Sequence, residues 1–146
     1  MSVVTEYELK LDWVRIDDVS DNDNVGEVGG SILLDDLTLW QPTVQNFLGG
    51  THSTTADMRA GDFFKLPKER SSHRHFDDDA PQQSVPFRLR MRLVENDTFG
   101  QDSIAQVTEE IRPDPNDFNG KASLTAEKTA SADGKITYRY TLTRIG

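Results

Sequence analysis

Apolar and polar residues alternate with a period of two at the start of this chain, where Tyr7, Leu9, Leu11 and Trp13 are set between Glu6, Glu8, Lys10 and Asp12. That period marks a strand with one face in a core and the other in water. Val14 and Ile16 are the next apolar residues, so the parity switches, and a β-bulge near Trp13 or Val14 would supply the extra residue. Residues 28–34 read as a second strand, in which Gly29-Gly30 either weakens the start or admits another backbone, and Asp35-Asp36 closes it. Residues 37–47 form a strand or an irregular crossing, since Pro42 interrupts any central strand there. Gly49-Gly50 marks a turn, and 54–66 offers a further strand ending in Asp62-Phe63-Phe64-Lys65-Leu66. Residues 67–86 are polar and aperiodic, with the run Asp77-Asp78-Asp79, and read as the longest loop.

The cleanest alternation follows, with Phe87, Leu89, Met91 and Leu93 on one face and Arg88, Arg90 and Arg92 on the other. Residues 104–111 make the next strand before Pro113 and Pro115 break the ladder. Residues 123–129 and 135–143 flank Asp133-Gly134, a hairpin signal, and Ile136, Tyr138, Tyr140 and Leu142 form the inward face of the last strand. Seven or eight strands with no helical period predict an all-β fold, an antiparallel β-sandwich occupying residues 1–146 as a single domain.

Composition narrows this picture. A chain of 146 residues supports one sizeable core, and the absence of cysteine rules out disulfide staples and zinc-thiolate centres. No apolar run is long enough to span a bilayer, so no transmembrane segment is expected. Met1-Ser2-Val3-Val4-Thr5-Glu6 lacks the basic and apolar regions of a signal peptide, so a soluble chain is expected, its compartment open. The net charge of −9 opposes nucleic-acid binding, which needs a cationic footprint.

Seven of the 25 acidic residues lie in two stretches, residues 16–26 and 94–102, each directly after an alternating run. Carboxylates crowded in turns repel one another and are best tolerated in full solvent or against a cation. If both stretches emerge at one end of the sandwich, Asp17, Asp18, Asp21, Asp23, Glu95, Asp97 and Asp102 become candidate metal ligands. Calcium takes six to eight oxygens in a tolerant geometry, whereas magnesium demands a stricter octahedron, so calcium is the expected cofactor. The helix-loop-helix calcium loop fits poorly: Asp21-x-Asp23 begins it, but Val25 and Ile32 replace two oxygen ligands.

Other groupings point less far. His73, His75 and Asp77 could share a face and chelate a transition metal, although Arg74 opposes a cation and a solvated loop is the simpler reading. No Gly-x-Ser-x-Gly elbow, glycine-rich phosphate loop or zincin helix occurs, so no enzyme is expected. Arg88, Arg90 and Arg92 offer an anion contact, or pair across the sheet with acids such as Glu6, Glu8 or Glu109. Trp13 and Trp40 read as packing residues, while Phe99 in the second acidic stretch could enter a membrane interface.

The run Glu95-Asn96-Asp97-Thr98-Phe99-Gly100-Gln101-Asp102-Ser103-Ile104, between two strands, resembles the calcium-dependent lipid-binding (C2) domain family. Glu95 and Asp97 resemble its paired acids and Asp102 its later one; in the first stretch Asp17 or Asp18, and Asp23, resemble the family's other ligands. The chain departs from the pattern in a loop one residue shorter, in Ala105 where glycine is usual, and in lacking an Asp-Pro-Tyr signature. The resemblance implies a C2-like, non-catalytic module that binds calcium and an anionic membrane or another protein surface. A structural or adhesion module of a larger assembly, with calcium stabilising loops or absent, is the alternative.

Overall fold

The first strand, β1 (Val4–Asp18), buries Tyr7, Leu9 and Leu11 and then Val14 and Ile16, with the parity switch that the sequence requires. The coordinates are a computed structural model describing residues 3–20, 25–42, 44–47, 50–53, 55–68, 70–97 and 100–146, without the side chains of 44–47, 50–53 and 97. The bulge falls at Asp12, one residue earlier than expected, because Leu11 pairs with Tyr140 and Trp13 with Arg139. Thr141 donates its hydroxyl to Asp12 at 2.6 Å, and the Arg139 Nε lies 3.6 Å from the same carboxylate, so the extra residue is held by its side chain. A second register shift between Ile16 and Asp18 leaves Asp17 as the additional residue.

The remaining strands are β2 (Val25–Leu34), β3 (Leu37–Trp40), β4 (Val44–Phe47), β5 (Gly50–Ser53), β6 (Ala56–Arg59), β7 (Ser71–Asp77), β8 (Phe87–Asp97), β9 (Gly100–Ile111), β10 (Ser123–Ser131) and β11 (Lys135–Arg144). One sheet has the order β10-β11-β1-β7; the other runs β3-β2-β8-β9, with β6 also paired to β2. All named pairings are antiparallel, and β4 and β5 form a separate hairpin. The result is the expected all-β sandwich, and its core comes from the alternate residues of β1, β2, β8, β9 and β11. No helix among the described residues is long and apolar enough to cross a membrane.

Several expectations change: eleven strands, four of them only four residues long, stand among the described residues where seven or eight were read, and the strand read over 54–66 is limited to β6. The segment read as a long loop contains β7, whose residues Ser71 to Asp77 pair with Lys10 to Val4 of β1. As an edge strand it buries only Phe76, so its polar composition hid it. The helix-free reading also changes slightly: after Pro113, Asp114 caps a one-turn helix, α1 (Pro115–Phe118), by accepting the Asn116 N–H at 2.9 Å. That turn delivers Phe118 into the core 5.6 Å from the Tyr7 ring, which also meets Phe76 edge-on at 5.9 Å.

Several polar ties hold the layers together. Asp35, in the β2–β3 turn with φ of 54°, accepts from the Arg88 N–H at 2.9 Å, from Arg74 Nε at 3.2 Å and from the Ser72 hydroxyl. Arg74 Nη2 lies 3.1 Å from its other oxygen. Burial alone would raise the Asp35 pKa, but the bonds from Arg74, Ser72 and the Arg88 N–H outweigh it and hold the carboxyl below its usual value. At the open side of the sandwich, Glu109 accepts the Tyr138 hydroxyl at 2.8 Å and that of Tyr140 at 3.3 Å, and pairs with Lys128 across the two sheets.

Candidate functional site

Antiparallel pairing decides where the acidic stretches go. β2 runs against β8 with Glu27 opposite Asn96, so the start of β2 lies beside the end of β8. β1 ends at Asp18 opposite Lys135, the first residue of β11. The turn before β11 then reaches the other sheet: the Asp133 N–H donates to the Ser103 carbonyl at 2.8 Å and the Gly134 N–H to the Ile104 carbonyl at 3.2 Å. Gly134 is needed there, because a Cβ would overlap the Asp18 carbonyl oxygen. Asp18, Asp133, Glu95 and Asp102 therefore belong to one end of the sandwich, where both acidic stretches leave and re-enter the sheets.

The individual acids differ in what they are free to do. Asp17 accepts from Arg15 Nε at 2.7 Å and from the Thr137 hydroxyl, one bond to each carboxylate oxygen. Burial alone would raise its pKa, but the Thr137 and Arg15 bonds outweigh this and lower it. Asp18 is exposed and accepts the Ser20 N–H at 2.9 Å, with Ser20 in the left-handed region at φ 66°. Glu95 continues the inward row Leu89, Met91, Leu93 and is only 3% exposed. Gly26 makes room for it, since a Cβ on Gly26 would stand 2.8 Å from the Glu95 Cγ. Asp102 is half-buried opposite Glu95 in the β8–β9 ladder.

Asp21, Asp23 and Phe99, and the side chain of Asp97, lie outside the described residues. Among the described residues no three carboxylate or imidazole groups are gathered closely enough to hold a metal ion. Asp133 was legible only as a turn residue, and nothing in local periodicity assigns it to this end; its hydrogen bond to β9 does.

No protein-family model and no curated protein matches the chain. A solved structure described as "Structure of a C2 domain" is similar to it. The likeness covers 95% of this chain and 98% of that one, at 14% identity and a TM-score of 0.43. At that distance it carries no functional argument, and the sandwich assignment rests on the strand pairing itself.

The other sequence candidates are placed elsewhere. Arg88, Arg90 and Arg92 project from the outer face of their sheet, as alternation requires. The pairing expected for them with Glu6, Glu8 or Glu109 is not formed: Arg88 meets Glu110 at 3.5 Å instead. Glu6 and Glu8 stand in the opposite sheet and flank the His73 ring at 3.2 Å each, and Glu109 faces inward to Lys128 and the tyrosines. Arg90 and Arg92 have no ion-pair partner among the described residues and border a shallow groove of about 220 Å3 with Ser31, Gln106 and Thr108. His73 and His75 are both exposed on β7, an edge strand and not a loop. Trp13 is a sheet-packing residue on the outer face, edge-on to Phe63 at 5.6 Å and covered by the Arg15 guanidinium at 5.4 Å.

Proposed function

We propose that this chain is a non-catalytic β-sandwich module that binds calcium at its acidic end and uses that end to engage an anionic membrane or another protein surface. The observation that supports it most is the shared end defined by the Glu27–Asn96 and Asp18–Lys135 pairings and the Asp133–Ser103 bond. The donor set is oxygen throughout, which suits a hard cation: Asp18, Asp21, Asp23, Glu95, Asp97 and Asp102, with carbonyls and water to complete the shell. Asp17 is the least available candidate, because Arg15 and Thr137 already take one lone pair on each of its oxygens and the Arg15 guanidinium opposes a nearby cation. When bound, calcium would supply positive charge that removes carboxylate repulsion and leaves coordination positions for an anionic group. Phe99 would accompany the contact as an apolar side chain, and Arg88, Arg90 and Arg92 would offer a second, calcium-independent anion-facing surface on the outer sheet face.

A scaffold role, with calcium only stabilising the loops or absent, draws its support from Asp17, whose carboxylate already ties β1 to β11. The two readings part in a thermal-shift titration with calcium against a chelator, followed by co-sedimentation with phosphatidylserine vesicles. A ligand at a hundred times its Kd adds about 2.7 kcal/mol to stability, an easily measured rise in Tm. Calcium-dependent stabilisation that Asp23→Ala and Asp97→Ala abolish, together with calcium-dependent vesicle capture, is the expected result. No response at millimolar calcium in the parent protein and both variants would refute the metal reading.

A further inference from the structure

Between β6 and β7 the chain crosses from one sheet to the other and leaves a cleft of about 410 Å3 beside the acidic end. Its walls are built, not incidental. The Gly61 N–H donates to the Ile16 carbonyl at 2.6 Å, the Ile16 N–H to the Asp62 carbonyl at 2.9 Å, and the Phe64 N–H to the Val14 carbonyl at 2.9 Å. The segment 61–64 thereby replaces β7 as the neighbour of β1 beyond Trp13, and its backbone is tied to β1.

The lining combines aromatic surface with unneutralised acid. Trp40 and Phe64 meet edge-to-face at 4.7 Å and 79°, Met58 is buried beside them, and Phe63 is 53% exposed. Asp57 and Asp62 are exposed in the lining, and neither is ion-paired among the described residues. Asp62 spends one oxygen on the Arg59 N–H at 2.9 Å, which closes the turn from β6. Lys65 is the one basic residue of the described lining.

These walls select a ligand class by elimination. An anion would be repelled by the two carboxylates, and a neutral apolar molecule would cover them without compensating their lost hydration. A small inorganic cation holds its hydration shell too tightly to shed it for contact with the rings. A cation wrapped in methyl groups satisfies both surfaces, because its charge is attracted to carboxylate and to the π-faces of Trp and Phe alike. We propose that this cleft binds a small alkylated ammonium ion, its methyl groups against Trp40 and Phe63, with the buried Phe64 backing Trp40, and its charge toward Asp57 and Asp62.

Isothermal titration in chelator at constant ionic strength tests this independently of the calcium reading, with choline and tetramethylammonium as probes. Both should bind saturably, and 3,3-dimethylbutan-1-ol, the uncharged carbon analogue of choline, should bind at least about fivefold more weakly. Asp57→Asn and Asp62→Asn should each weaken choline about threefold, the second keeping an oxygen for the Arg59 N–H, and Lys65→Ala should tighten it. Phosphatidylcholine vesicles in the same buffer separate the sources: capture lost in Asp57→Asn places the ammonium on a lipid, whereas choline binding without capture makes it a soluble ligand. Equal affinity for the uncharged analogue, no saturable binding of either cation, or weaker binding in Lys65→Ala would overturn the proposal.

Discussion

Removing the charge of Asp35 should destabilise the sandwich by about 2 kcal/mol, more than any ordinary surface ion pair contributes. The residue stands in the β2–β3 turn of one sheet and receives Ser72 and Arg74 from β7 of the other, as well as the Arg88 N–H of β8. Its side chain is 10% exposed and that of Arg74 28%. Hydrogen bonds to a charged group contribute about 1.5–3 kcal/mol each, and breaking a fully buried pair costs about 3–5 kcal/mol. The partial exposure of Arg74 lets its guanidinium return to water, which brings Asp35→Asn toward the lower figure. Asparagine also tolerates the left-handed φ of 54° and keeps one oxygen for the Arg88 N–H, so the variant removes the charge and the acceptor of Ser72 and Arg74 Nε while leaving the turn intact. Asp35→Ala loses that bond as well, and with it the short polar side chain that lets Asp and Asn tolerate left-handed backbone, for a total of about 4 kcal/mol.

Urea unfolding followed by fluorescence of Trp13 and Trp40 measures both variants. The pH dependence supplies a second check. Because the folded-state pKa of Asp35 is depressed, its stabilisation is present above the unfolded value near 3.8 and is lost as pH falls through the lower folded value. The gap between parent and Asp35→Asn should therefore be full at pH 6 and shrink toward pH 2. A gap below about 0.5 kcal/mol at pH 6, or one unchanged across that range, would refute the inter-sheet tie.

Gly30, with φ of 104° and no room for a Cβ beside the Arg92 carbonyl, should tolerate no side chain; Gly30→Ala is expected to cost about 3 kcal/mol or more, read as a lower urea midpoint. The chain has three tyrosines, and burial with a neighbouring carboxylate raises all of them: Tyr7 to about 12 beside Asp78, and Tyr138 and Tyr140 beside Glu109. Their stabilisation is fully present below pH 10 and is lost as pH rises through the folded values, so tyrosinate absorbance should appear only well above pH 10 and together with unfolding. Tyrosinate forming near pH 10 in the folded protein would contradict this. Asp17→Ala should lower stability by about 1–2 kcal/mol in chelator, since it leaves Thr137 and Arg15 without their acceptor; a loss seen only with calcium present would make Asp17 a ligand first.

Alternation made most strands readable, because β1, β8 and β11 each have one face in the core and one in water. Even the bulge was legible, though its position was set by Thr141 reaching Asp12 across the sheet, a partner 129 residues away. β7 escaped for the opposite reason: an edge strand with a single buried residue carries no hydrophobic period. The convergence of the acidic stretches could be framed from sequence but depended on pairing between distant strands. The placement of Asp133 at this end and the Trp40–Phe64 cleft were not legible, since the first depends on a backbone bond from the β10–β11 turn to β9 and the second on side chains that meet only after the 61–64 crossing has docked.

The pairing of β1 with β11, from Tyr7 against Arg144 to Asp18 against Lys135, has a consequence for how the molecule is made. The sheet of β2, β8 and β9 can assemble from the interior of the chain, but β1 must wait on the ribosome until β11 has been synthesised. During that interval β1, which carries the apolar row Tyr7, Leu9, Leu11, Val14 and Ile16, has no in-sheet partner except β7 and the 61–64 segment. Pairing over such long sequence separation is intrinsically slow, so the nascent chain faces its greatest risk of aggregation in the interval before β11 becomes available.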